Sequence, residues 1–238
     1  MTGNKQNSSG VDKVLLAELA RGAQITFANG EALYNEASFL RGQGRLSRAL
    51  FLHQISLEEC AKIEILGAFA TSLLMGHDVD FEKVQKGLAS HAHKNRTNAY
   101  SLNASAEEES AKQAGDFDAA LTAFKQMQKA FHLKANTAKN AALYVDFKDQ
   151  KFVAPDECIT LEMAAEIAAL NEEFLGLSSP KIEMLQKWLE NPVVPADDAK
   201  YFEKRIEELA TEHPNDPSKA LELVMKEMLE RIRQRPCK

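Results

Sequence analysis

Hydrophobic and polar positions follow the α-helical period along most of this chain, and one stretch is apolar on nearly every side. Arg45 to Gly67 reads R-L-S-R-A-L-F-L-H-Q-I-S-L-E-E-C-A-K-I-E-I-L-G, without proline or internal glycine. Leu50, Leu52, Ile55, Leu57, Ile63, Ile65 and Leu66 surround it, which predicts a central helix packed against both the first helix and the helix that carries His91. At about 100° per residue, Arg48, Ile55, Glu59, Lys62 and Leu66 share one stripe. Charged groups therefore lie inside an apolar helix. A buried charge without a partner is costly, so these groups need partners.

The remaining text predicts helices around this one. A first helix starts at Ser9 or Gly10, with Asp12 in its first turn, and shows an apolar face of Leu15, Leu16, Leu19, Ala23, Leu33, Ala37 and Leu40. Gly42-Gln43-Gly44 ends it in a tight turn that makes the first two helices antiparallel. The second helix runs to about Met75. Asp78 or Asp80 caps a third segment that holds Phe81, Val84 and Leu88 and continues through His91, His93, Lys94 and Arg96. Ser101 to Gly115 reads as a frayed helix end and loop. Asp116 opens a helix that buries Leu121, Phe124, Met127 or Gln128, Phe131 and Ala135. Leu143–Phe147 and Lys151–Val153 alternate like two short strands around Lys148-Asp149-Gln150. Leu161 to Leu175 is helical until Gly176, and Ser179-Pro180 starts a new helix. Pro192 and Pro195 mark a linker before two amphipathic helices, Asp197 to Thr211 and Asp216 to Arg233.

Composition narrows the class. With 238 residues, 45% apolar content and only 11 Gly and 7 Pro, one large helical domain or one domain with an appendage fits better than a β sandwich. A net charge of −6 argues against general coating of nucleic acid and leaves room for a local basic site. Cys60, Cys158 and Cys237 are odd in number and far apart, which suits a reducing cytosol. Neither a signal peptide nor a membrane span is expected, so the expectation is a cytoplasmic protein with no membrane partner.

Three groups carry candidate chemistry. Glu58, Glu59 and Lys62 form either an intrahelical ion pair on a solvated face or a buried polar site. His91 with Lys94, and His93 with Arg96, each share a helix face; a neutral histidine beside cations suits a phosphate site with a general base or acid. No E-x-x-H occurs, and H-x-H on a helix points its rings apart, so no metal and no cofactor are expected. Arg48 and His53 point about 140° apart on one helix, so His53 reads as a satisfied histidine at a helix interface.

Together these pieces resemble the AbiV family of abortive-infection proteins, within the HEPN superfamily. The matching text is R-x-x-R-A-L followed by E-E-x-x-K in Arg45 to Lys62, then His91-x-x-Lys94, then Lys139-x-x-x-Leu143-Tyr144-Val145-Asp146 followed by Pro155. Arg48 with His53 is similar to the Arg and His of HEPN endoribonucleases. Ala142 stands where the family pattern suggests glycine, and His53 where it suggests a small or apolar residue. The C-terminal helices lie outside the resemblance.

The resemblance implies an HEPN-like antiparallel helical bundle; with the short β-hairpin-like insertion and the C-terminal helix pair read from the residues themselves, the expected fold is all-α, divided at 11–192 and 193–238. It also implies a phage-defence effector that arrests growth or translation, either as a homodimeric, metal-independent endoribonuclease or as a non-catalytic binder of the translation machinery; a helical scaffold is the third reading. RNA is the expected substrate, and a phage protein the expected trigger. On the nuclease reading His91 transfers protons, Lys94 and Arg48 clamp phosphate, and Glu59 positions Lys62 or His91. Glu58, His93, Arg96, Lys139, Tyr144 and Asp146 are assigned to binding. Glu59, Lys62, His91 and Lys94 are expected to converge in one polar cleft.

Overall fold

The computed structural model describes residues 12–74 and 79–190, together with 201, 204–206, 208, 209, 211–213, 223 and 227. Its first helix, α1 (Lys13–Gly42), is capped by Asp12, whose carboxylate accepts from the Val14 and Leu15 amides. Asp12 is thus the cap itself rather than a first-turn residue, while Ser9 and Gly10 lie outside the described residues. The helix closes at Gly44, whose φ of +74° favours glycine. The Gly44 amide donates to the Arg41 carbonyl and the Arg45 amide to that of Leu40, which satisfies two helix-end carbonyls and returns the chain along α1.

The returning helix, α2 (Leu46–Leu74), is the spine. Leu66, Phe69, Ala70 and Leu74 meet Leu16, Leu19, Ala20 and Ala23 of α1, while Leu50 meets Ala142 and Ile159, and Leu57 with Cys60 meets Phe174. Leu57 and Ile63 are both buried, as the all-round apolar pattern requires. Helices then follow at α3 (Phe81–Ala89), α4 (His91–Asn98), α5 (Ala106–Gln113), α6 (Phe117–Leu143), α7 (Pro155–Cys158) and α8 (Leu161–Glu190). The strands β1 (Asp146–Lys148) and β2 (Lys151–Val153) form an antiparallel hairpin. Its turn residues, Asp149 and Gln150, both have positive φ, as a two-residue hairpin turn requires. The fold is all-α with this one hairpin among the described residues. Among the described residues no helix is long and apolar enough to cross a membrane.

Several local expectations are corrected. The third segment breaks at Ser90, which ends α3 and caps α4 by accepting from the His93 amide. Ser101–Gly115 is not simply a loop: Ser105 accepts from the Glu108 amide and starts α5, a Ser-x-x-Glu signal readable in sequence. Leu121 is exposed, because Ala120, Ala135, Lys139 and Ala142 form the buried line of α6. α6 also runs through Leu143, so β1 begins only at Asp146. Pro180 lies inside α8 instead of starting a helix. Packing of Phe174 and Leu185 on either side of it outweighs the missing amide donor. Pro192, Pro195, Asp197 and Asp216 lie outside the described residues, whereas Tyr201, Arg205, Leu209, Leu223 and Glu227 are helical.

Candidate functional site

Adjacent residues on α2 point about 100° apart, so Glu58 and Glu59 face different neighbours. Glu58, 1% exposed, turns to α4 and α6. Glu59 turns to α1, where a side chain on Gly30 would lie 3.5 Å from its Cβ, and pairs with Lys62 at 2.6 Å. The expected convergence is therefore corrected: His91 and Lys94 meet Glu58, and the Glu59–Lys62 pair is separate from them.

Glu58 is a hub for three basic groups. Its Oε2 accepts from His91 Nδ1 at 2.5 Å and from Lys94 Nζ at 2.8 Å, and its Oε1 accepts from Lys139 Nζ at 3.0 Å. Ser90 places His91 at the first position of α4, and Lys94 follows one turn later on the same face. Lys139 comes from α6. Burial pushes the Glu58 carboxyl up, but hydrogen bonds from Lys94, Lys139 and His91 outweigh it and hold the group below its ordinary value. An ionised carboxylate only accepts, so the neutral His91 ring carries its proton on Nδ1 and a lone pair on Nε2. The His91 side chain is 56% exposed, which leaves that far edge to solvent. With His91 neutral, the hub carries one net positive charge.

A neutral polar layer adjoins the hub. Gln54 Nε2 donates to Asn95 Oδ1 at 3.5 Å, and Asn95 Nδ2 donates to His132 Nδ1 at 3.2 Å. Asn98 Nδ2 donates to the Leu57 carbonyl at 2.8 Å. His132 was not singled out in sequence. Its signal was the i, i+7 spacing to Lys139, which puts both on one face of α6. As an acceptor at Nδ1, neutral His132 carries its proton on Nε2, the opposite tautomer to His91.

The other sequence candidates stand apart from the hub. Arg48 is exposed, roughly 15 Å along α2 from Glu58 at the helical rise, in a cleft with Arg45, Ser47 and Asp156. The His93 ring lies against Gly87, where a side chain would stand 3.1 Å away. Arg96 is exposed, and its carbonyl accepts from Gln128 across to α6. Tyr144 is exposed at the end of α6, and Asp146 pairs with Lys148 on the hairpin at 3.1 Å, which holds its carboxyl below the ordinary value.

His53 is fully buried. Its Nδ1 accepts from Asn171 at 3.1 Å and its ring meets Tyr34 edge-on, but Nε2 has no partner, so it is only half satisfied. Burial, with Arg41 nearby, pushes its pKa down to about 4. Among the described residues, no group of three or more His, Cys, Asp and Glu is placed to hold a metal.

A model of the HEPN domain described as AbiV matches residues 18–176, well over half of the chain. The chain belongs to the AbiV family. The AbiV match spans α2, α4 and α6, hence Glu58, His91, Lys94 and Lys139, and ends within α8. Over 107 residues this AbiV chain is 44% identical to an uncharacterized protein, y4gJ, of Sinorhizobium fredii strain NGR234. The aligned part is 45% of this chain and 56% of that relative, so the chain spans little more than half the relative's length. No solved structure matches.

Proposed function

We propose that this AbiV protein arrests infected cells as a metal-independent endoribonuclease, acting as a homodimer in the cytoplasm, with residues 193–238 as a separate extension. The observation that carries this reading is the solvent-facing His91 ring fixed through Nδ1 by the buried Glu58. Such a ring accepts the ribose 2′-hydroxyl proton at Nε2, and the imidazolium that forms is stabilised by the carboxylate. As the 2′-oxygen bonds to phosphorus the bond to the 5′-oxygen breaks, and the leaving 5′-oxygen takes a proton from the imidazolium or from water. The net positive charge of the hub opposes the negative charge that builds on the non-bridging phosphate oxygens. Arg48 lies too far along α2 to share a phosphate with His91 in one protomer. A two-fold axis would supply cations from a second chain and give an acidic protein a local RNA site.

A second reading has its own observation. Lys94 and Lys139 are both buried and committed to Glu58, which is the arrangement of a structural clamp in a non-catalytic binder of the translation machinery. Incubation of purified protein with total RNA in EDTA, comparing wild type with His91→Ala, separates the two. Cleavage lost on substitution, with the thermal melt unchanged, supports the nuclease; growth arrest by His91→Ala equal to wild type rejects it.

A further inference from the structure

A second site lies where α5, α6 and the turn after α4 meet. A cavity of about 480 Å³ opens there between Tyr100, Phe117, Phe124 and Met127, with Glu108 and Lys112 on its α5 side. Tyr100 is 73% exposed and its ring lies 4.9 Å from that of Phe124, so aromatic surface stands in water beside the cavity. Glu108 is only 6% exposed. Its Oε1 accepts from Lys112 at 2.6 Å, whereas Oε2 is buried with no hydrogen-bond partner.

A buried carboxylate oxygen without a donor is an unmet need, and the half-exposed Lys112 answers only one side of the group. Exposed Glu107 and Glu109 flank Glu108 in sequence, and Asp116 and Asp118 flank Phe117. These carboxylates, beside lining residues in sequence, outnumber Lys112 and make the neighbourhood favour cations over phosphates. Aromatic walls attract a cation through their π faces and also cover an aliphatic stem. We propose that this cavity binds a primary ammonium on an aliphatic stem, held by Glu108 and enclosed by Tyr100, Phe117 and Phe124. Such a group comes from a free polyamine or from a lysine side chain. The site is independent of the His91 chemistry.

Calorimetric titration of the full chain tests it with cadaverine, Nα-acetyl-lysine methylamide and the neutral analogue 1-pentanol. Both Glu108→Gln and Tyr100→Ala should weaken ammonium binding by about tenfold or more, while 1-pentanol binds more weakly than either amine. Lys112→Met should tighten binding, because it removes the internal ammonium that competes for Glu108. Binding of cadaverine alone assigns the site to free polyamines, and binding of the lysine amide alone assigns it to a peptide. Equal binding of 1-pentanol, no binding of either amine, or unchanged binding by the exposed-site variant Tyr100→Ala overturns the proposal.

Discussion

Glu58 holds Lys94, Lys139 and His91, and Glu58→Gln would leave two buried lysines without their acid. The expected loss is about 3–5 kcal/mol in urea unfolding. Because the folded pKa of Glu58 is lowered, its stabilisation is fully present above its ordinary value of 4.5 and is lost as pH falls through the folded value. Glu58→Gln should remove that acid limb. His53 acts in another window. Its pKa drops from 6.5 to about 4 on folding, so between those values the unfolded chain binds the extra proton. Stability should therefore fall by about 3 kcal/mol as pH drops across this range, and His53→Phe should abolish that slope in urea midpoints measured against pH. The need for partners inside α2 was legible in its sequence, but the choice of acid was not. A helix apolar on every side gives the helical wheel no solvent face for orientation, so Glu58 and Glu59 look alike until α4 and α6 are in place.

At the scale of elements, the legible features were those with local causes. Asp116 capping α6, the glycine turn after α1 and the hairpin turn each depend on a few neighbouring residues. Pro180 misled because its local preference was overruled by distant packing along α8. Pro180→Ala restores an amide donor at an exposed helical position and should raise stability by about 1–3 kcal/mol, read from the denaturation midpoint. Gly30 on α1 is a milder case. An added Cβ would meet Glu59, Leu175 and the Ser56 carbonyl at 3.5, 3.6 and 3.8 Å, which are ordinary contacts. Gly30→Ala should thus stabilise the protein by about 0.5–1 kcal/mol through backbone entropy; a loss in the same measurement would show that α1 and α2 cannot yield even slightly.

Across the whole molecule, the proposed homodimer has a direct measure: light scattering should give twice the 26.4 kDa chain mass, and a fully active monomer would refute a shared cleft. Gross topology was legible because α2 had to be central, whereas the α5–α6 cavity was hidden by a polar text that resembled a loop. The hub also has a consequence in time. Glu58 and its partners are separated by 33 residues for His91 and 81 for Lys139. During synthesis the carboxylate emerges long before α6 exists. The α1–α2 hairpin can close early on local apolar contacts, but the Glu58 corner stays hydrated until the last of its three cations arrives. Closure of that corner is therefore a late step that registers α2, α4 and α6 against one another. Weakening it should speed unfolding far more than it slows folding.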